Sequence, residues 1–419
     1  MASGSSSSLP PHYYHDPEIY EKEMDLIFMK RWLPVAREED VPEPGSFVVR
    51  DLGTESIIIL RGEDGTVRAF HNTCRHRGAA LLEDERGSAD VIQCRYHSWT
   101  YDLDGRLVGA PYMEGVEGFA IEEYGLTPVR LDVWQGFLFV NLDPGAVPLL
   151  DSLGDLPDKL SRFRFGEFRR ACTITYDVRA NWKIIQENNL ECYHCPTVHP
   201  TLVQIIKWDS WKGEGALCRS DGQQQGVYTG ASVVYKEENA GVSSSGKREV
   251  APQTGADDAI SQRLVFYYQF PVLQINLAPD NLVAHYFWPV GPDRTRIQFE
   301  AYFDPRIPLD SEYVRGTISQ WEVINQEDWH VSELNHKGTA SRFAKPGLFN
   351  NFEFLVEDFD RYILQVIGAP PQEGDPRADL KAARESARGA ERQGDPLAGA
   401  QPGEVGGLRA DAWQLSNNF

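Results

Sequence analysis

Residues 71–101 read His-Asn-Thr-Cys-Arg-His-Arg-Gly-Ala-Ala-Leu-Leu-Glu-Asp-Glu-Arg-Gly-Ser-Ala-Asp-Val-Ile-Gln-Cys-Arg-Tyr-His-Ser-Trp-Thr-Tyr, and the fold turns on them. Cys74-x-His76 is followed, after seventeen residues, by Cys94-x-x-His97. Two thiolates and two imidazoles converging from two loops would hold a tetrahedral zinc. They would equally hold a [2Fe-2S] cluster in which two histidines replace two cysteines on one iron. Zinc would leave the protein colourless; the cluster would pass single electrons at a potential raised by its neutral ligands. The outer nitrogen of each imidazole would stay available for hydrogen bonding.

The flanking sequence says what carries these loops. From Gly45 to Asp143 short apolar runs recur at Phe47-Val48-Val49, Ile57 to Leu60, Val67 to Phe70, Val129 to Val133 and Phe137 to Asn141. Gly-Asp, Asp-Gly and Asp-Pro turns bound them, which marks a small antiparallel β domain. Before it, His12 to Leu33 has apolar residues at helical spacing, one or two amphipathic helices. After Pro144 the pattern becomes α+β. A helix is expected over Asn181 to His194, ended by Pro196. Strands are expected at Arg263 to Ile275 and Arg296 to Phe303, and helices at Val314 to Lys337 and Phe352 to Val366. Lys236 to Asp258 is rich in Gly, Ser and Ala and reads as a mobile loop. The expected organisation is an N-terminal segment 1–40 packing on the catalytic domain, a β domain 41–150, a catalytic domain 151–369 and a weakly ordered tail 370–419.

Composition removes several classes of function. The net charge of −21 and the lack of any Lys/Arg run argue against nucleic acid and anionic membranes as partners. The longest aliphatic run is Ile57 to Leu60, and the Ser-rich N-terminus has no apolar signal region, so a cytoplasmic protein is expected. The six cysteines accompany no secretion signal, which puts metal binding ahead of a disulfide framework.

A second constellation lies at Asn181-Trp182-Lys183, Glu187-Asn188, Glu191-Cys192-Tyr193-His194 and His199-Pro200. On a helix Glu191 and His194 share a face, and a helix ended by Pro196 would let His199 swing round to the same metal. Mononuclear non-heme iron takes two histidines and one carboxylate on one face, so an Asp or Glu is still required. Cys192-x-x-Cys195 admits a redox-pair reading; we take both as packing residues, and Cys172 and Cys218 carry no signal. Asn188, one turn before, either shapes the site or bonds within the helix packing.

Cys74-Arg75-His76-Arg77-Gly78, with Cys94, Tyr96, His97, Trp99 and Tyr101, resembles the cluster loops of Rieske non-heme iron oxygenases; the resemblance covers about residues 12 to 366. It implies an α+β chain: an N-terminal antiparallel β Rieske [2Fe-2S] domain, then a catalytic domain with an antiparallel sheet flanked by helices. Cys74 and Cys94 would ligate one iron of the cluster, His76 and His97 the other. His194 and His199 would bind a mononuclear Fe(II), with O2 as cosubstrate. Gln326-Glu327-Asp328-Trp329 resembles the family segment that supplies the carboxylate, which implies Asp328, with Glu327 as fallback. The family usually has Asp at the position of Glu191, where the carboxylate bridges to a cluster histidine of the neighbouring subunit. Glu191-Cys192-Tyr193-His194 narrows the resemblance to the choline, glycine-betaine and carnitine oxygenases.

The resemblance further implies a ring of three subunits, and a homotrimer is favoured although an added β subunit is compatible with the motifs. No G-x-G-x-x-G follows a predicted strand, so electrons from NAD(P)H need a separate flavin reductase, with or without a ferredoxin. The substrate is a small organic molecule. The branch leans to hydroxylation or demethylation of an N-methyl quaternary ammonium compound held by cation–π attraction among aromatics such as Trp208, Trp211, Tyr228, Tyr235 and Phe266 to Tyr268. Mono- or dihydroxylation of an aromatic ring is the alternative. A reading of another class, a Rieske electron carrier or redox sensor, would have no need of His194, His199 and Asp328.

Overall fold

The computed structural model describes residues 7–215, 228–250 and 262–368; the tail 370–419 and residues 251–258 of the expected loop lie outside them. The N-terminal helices are short: a 3-10 turn at Pro11–Tyr14, α1 (Pro17–Glu23) and a π-helical turn at Met24–Phe28. Asp16 starts α1, its Oδ1 accepting from the Glu18 N–H at 2.8 Å with Pro17 at the first position.

Ten strands then build the first domain: β1 (Leu33–Arg37), β2 (Ser46–Leu52), β3 (Glu55–Arg61), β4 (Val67–His71), β5 (Arg86–Ser88), β6 (Ile92–Gln93), β7 (Thr100–Tyr101), β8 (Leu107–Gly109), β9 (Pro128–Trp134) and β10 (Phe137–Asn141). Seven pair in the order β1-β10-β9-β4-β3-β2-β5, while β6-β7-β8 form a separate small sheet that carries the second Cys/His loop. Every residue of β10 is buried, because both its faces are covered. The Phe137 ring lies 6.4 Å from Tyr286 and 6.0 Å from Tyr302 of the second sheet, and the Arg37 guanidinium sits over Phe137 and Tyr302 at 4.4 and 4.8 Å. One apolar core therefore runs from the first sheet into the second.

The helices α2 (Leu149–Leu153) and α3 (Leu156–Leu160) lead to β11 (Arg169–Val178), α4 (Trp182–Asn189), α5 (Cys195–Val198) and α6 (Leu202–Ile205). Then come β12 (Ile206–Gly215), β13 (Tyr228–Tyr235), β14 (Arg263–Gln269), β15 (Leu273–Leu277), β16 (Asn281–Gly291) and β17 (Arg294–Phe303), followed by the long α7 (Glu312–Thr339) and α8 (Phe354–Gly368). The seven strands are antiparallel in the order β11-β17-β16-β15-β14-β13-β12. Register decides which residues face α7. Gln274 pairs with His285 and His285 with Phe299, so by alternation Asn276 and Phe287 join them on that face. Tyr286 and Tyr302 face the first sheet instead. On α7 the buried residues Trp321, Asn325, Asp328, Ser332 and His336 recur every three or four positions, a stripe laid on the sheet.

Three expectations are corrected. The single strand over Arg263 to Ile275 is a hairpin, β14 and β15 meeting at a turn around Phe270 and Pro271. The sheet also holds β11, β12, β13 and β16, which were not among the expected strands; β11 is half-exposed with polar residues along its length, whereas β13 and β16 are buried on both faces and so lack an alternation to read. The described part of the loop from Lys236 is anchored, with Ala240, Val242 and Ser243 buried and Ser244 N–H donating to Gly316 of α7 at 3.1 Å.

Candidate active site

The two Cys/His loops have the same backbone. Gly78 N–H donates to Cys74 O at 2.9 Å and Cys74 N–H to Ala79 O at 2.8 Å; Ser98 and Cys94 repeat both bonds, to Cys94 O and Trp99 O, at 2.9 and 2.8 Å. Each turn needs a left-handed residue four positions after its cysteine, Gly78 at φ 75° and Ser98 at φ 58°. The turns bury both cysteines and set the imidazoles outward, the His76 and His97 rings 4.6 Å apart and His76 stacked on Trp99 at 4.8 Å. The Tyr101 hydroxyl lies 3.4 Å from Cys74 Sγ and accepts the Arg75 N–H at 3.1 Å. His97 Nδ1 is buried with no hydrogen-bond partner among the described residues, which fits a nitrogen reserved for a metal.

The second set gathers on three elements. The helix expected over Asn181 to His194 stops at Asn189, and Pro196 starts α5 rather than ending anything. Glu191 and His194 thus sit on the turn between two helices, and Glu191 organises it. Its carboxylate accepts from the Tyr193 and His194 N–H groups and meets His194 Nδ1 at 2.6 Å. His199 caps α5, and its Nδ1 is held at 2.8 Å by Glu327 of α7. With both Nδ1 atoms so engaged, the Nε2 atoms turn inward, 3.1 Å from one another and 3.4 and 2.9 Å from Asp328 Oδ1.

These three donors lie within 4.8 Å of one another. Burial disfavours charge on His194, but the Asp328 and Glu191 carboxylates outweigh it and hold its pKa up to about 10. Burial likewise opposes ionisation of Asp328, and the two imidazoles beside it keep that carboxyl well below the usual range. An anionic oxygen and two imidazole nitrogens packed this closely are the donor set of a metal with an open face, two histidines and a carboxylate.

All the residues predicted for this site except Asn188 meet directly. Asn188 Oδ1 is buried without a hydrogen-bond partner among the described residues. Glu327 is a partner of His199, not the metal donor it was held in reserve to be; its place beside Asp328 was the available signal. Cys192 and Cys195 are corrected: besides packing, they form a disulfide, their Cα atoms brought to 5.0 Å by the turn around His194.

Residues 165–369 match the ring hydroxylating alpha subunit (catalytic domain) family and residues 31–120 the Rieske [2Fe-2S] domain. The chain is 30% identical over 380 residues to the glycine betaine monooxygenase oxygenase subunit of Pseudomonas aeruginosa, covering 84% of this chain and 87% of that protein. The chain belongs to the Rieske ring-hydroxylating oxygenases. Another of these oxygenases, the carnitine monooxygenase oxygenase subunit of Acinetobacter baumannii, is 34% identical over 350 residues, covering 80% of this chain and 86% of that one. A solved quaternary ammonium Rieske monooxygenase superposes with a TM-score of 0.74 at 25% identity, over 86% of this chain and 96% of that one. Naphthalene 1,2-dioxygenase, at 19% identity and a TM-score of 0.72 over 92% of this chain and 97% of that one, shares the fold. As a Rieske non-heme iron oxygenase the chain works with a [2Fe-2S] cluster and a mononuclear iron, and the two donor sets fit those groups in type and number. No helix among the described residues is long and apolar enough to cross a membrane.

Proposed function

We propose that this chain is the oxygenase component of a monooxygenase that hydroxylates an N-methyl carbon of a small quaternary ammonium compound. Cys74, Cys94, His76 and His97 hold the cluster, and His194, His199 and Asp328 the iron. When bound, the cluster supplies single electrons and the iron activates O2. The overall change is R–N(CH3)3+ + O2 + 2e− + 2H+ → R–N(CH3)2CH2OH+ + H2O. Loss of formaldehyde and a proton then leaves the tertiary amine.

Kinship with the glycine betaine and carnitine monooxygenases carries the substrate reading, and a small aromatic-lined cleft beside the ligand turn agrees with it. Asn189 and Leu190, which end α4 just before Glu191, wall it together with Trp211, Phe266 and Tyr268, and no Lys or Arg is among its lining residues. Uncharged aromatic walls attract a quaternary ammonium by about 0.5–2 kcal/mol per ring. The relatives named for glycine betaine and carnitine support the same class. Asn188 belongs to this reading as a residue that shapes the site.

A homotrimer is part of the proposal. Tyr96 and Tyr112 are 59% and 94% exposed near the cluster loops, and Tyr193, on the iron turn, is 58% exposed. Aromatic surface at both ends suits a head-to-tail contact that closes a ring. In that ring Glu191 lies on the electron route to the neighbour's cluster. A separate flavin reductase, with or without a ferredoxin, supplies the electrons from NAD(P)H, and a cytoplasmic location is part of this reading.

The test loads the anaerobically purified protein with Fe(II) and supplies a reductase and NAD(P)H. Glycine betaine, carnitine, choline and naphthalene are then compared for O2 uptake and product. Formaldehyde in step with O2 from an ammonium substrate is expected, and turnover of naphthalene alone would replace that substrate class. His199→Ala should lose product and the mononuclear iron while keeping the cluster. Product from that variant would overturn the site assignment.

A further inference from the structure

A file of buried polar side chains crosses the catalytic sheet and ends on α7. Gln274 Nε2 donates to Asn276 Oδ1 at 3.0 Å, Asn276 Nδ2 meets His285 Nδ1 at 3.2 Å, and His285 Nε2 meets Asn325 Oδ1 at 2.8 Å. Asn325 Nδ2 then donates to the Tyr176 hydroxyl at 3.4 Å. From Gln274 to Asn325, all four residues are at most 4% exposed. The direction of the file is set at its start. Asn276 Oδ1 is taken by Gln274, so Asn276 presents its NH2 to His285 Nδ1, which must accept, leaving Nε2–H as the donor. The ring sits 5.2 Å from Phe299, 6.2 Å from Trp321 and 6.1 Å from Trp329, surroundings that favour the neutral form. Burial accordingly lowers its pKa to about 4.

The far end of the file is next to the chemistry. Asn325 lies three residues before Asp328 on the same buried stripe of α7, and two before Glu327. Those two carboxylates reach the site from different directions, Asp328 at both Nε2 atoms and Glu327 at His199 Nδ1. A small rotation or slide of this turn would move both at once. Apolar packing by Trp321 and Trp329 resists such motion only broadly, whereas a hydrogen bond between two buried groups has one good geometry and is costly to break.

We propose that His285 is a positioning residue for the mononuclear iron: held as the Nε2–H tautomer by Asn276, it pins Asn325 and thereby sets the α7 turn that presents Glu327 and Asp328. This rests on the assignment of His194, His199 and Asp328 as iron ligands. Among the described residues the hydrogen bonds of His285 go to Asn276 and Asn325 and not to these ligands, so it acts through Asn325.

The test measures anaerobic Fe(II) affinity by competition with a chelator, and counts the cluster from its visible absorbance per chain, in the full-length wild type and in His285→Phe, Asn325→Leu and His285→Gln. Phe and Leu remove the bond with a similar shape and a modest gain in volume, for which the cluster content is the control; Gln carries an amide donor near the position of Nε2. His285→Phe and Asn325→Leu are expected to weaken Fe(II) binding by about tenfold or more at full cluster content, and His285→Gln to recover to within about threefold of wild type. Wild-type affinity in both Phe and Leu variants would overturn the inference while leaving the iron site standing. Loss of cluster and iron together in both would make the file general packing and overturn it too. A wild type that binds no Fe(II) would take down the site assignment and this inference with it.

Discussion

Glu327 offers the sharpest test of how the iron site is oriented. Its carboxylate holds Nδ1 of a buried His199 at 2.8 Å, so it fixes which nitrogen carries the proton and which way Nε2 points. A hydrogen bond to a charged group of this kind contributes about 1.5–3 kcal/mol. Only the part that pre-orients the imidazole appears as metal affinity, and losing such a partner typically weakens a metal site about 10–100-fold. That is about 1.4–2.7 kcal/mol. Glu327→Leu should therefore raise the Fe(II) dissociation constant by about 10–100-fold, and Glu327→Gln, which keeps an acceptor without the charge, by less than about tenfold. The assay is chelator-competition titration under nitrogen, with the cluster absorbance as the control for folding. A Leu variant within about twofold of wild type would refute the reasoning, because packing alone would then orient His199.

Two further outcomes follow from other groups. Tyr101→Phe removes a hydroxyl 3.4 Å from Cys74 Sγ, and a bond worth about 1 kcal/mol more in the reduced, more anionic cluster corresponds to roughly 45 mV for one electron. The potential should fall by that order in a redox titration, and a rise would contradict the donor role. Asp360 and Glu187 form a buried acid pair beneath the N-terminal segment, where Leu9 N–H donates to Asp360 at 3.0 Å and the Tyr14 hydroxyl to Glu187 at 2.9 Å. Burial lifts Asp360 to about 7, and burial with the neighbouring Asp360 lifts Glu187 well above the usual range. Both folded values exceed the unfolded ones, so their stabilisation is full below about pH 4 and Asp360's is lost as pH rises through about 7. Asp360→Asn should gain on wild type by more than about 1 kcal/mol between pH 5 and pH 8 in denaturant unfolding; a constant difference would refute the pair.

The cluster loops were legible because their information is local. Two short turns carry all four donors, and the invariant geometry of such turns needs only Gly78 and a tolerant Ser98 at the left-handed position. The α+β character of the second half and its long C-terminal helices were legible from periodicity, since apolar residues such as Val314, Ile318, Trp321 and Ile324 repeat at helical spacing. The strands β11 and β16 were not. On β16 polar His285 and apolar Phe287 share a face, and only their pairing with β15 and β17 makes a strand of them.

The site divides in the same way. Residue type and spacing pointed to His194 and His199 as candidate donors and to the need for an acid, while Asp328 was reached only through the resemblance of residues 326–329 to the family segment that supplies the carboxylate. What distinguishes Asp328 from Glu327, adjacent and chemically alike, is where α7 lies against α5: successive helical residues point about 100° apart, so one carboxylate enters the donor cluster and its neighbour reaches the far nitrogen of His199. The end of α4 at Asn189, the disulfide across the ligand turn and the file from Gln274 to Asn325 were likewise decided by long-range packing. A sequence shows which atoms can bind a metal through short spacings. Which second residue orients each of them depends on contacts more than a hundred positions apart for His199 and Glu327, and those exist only once the sheet and α7 have come together.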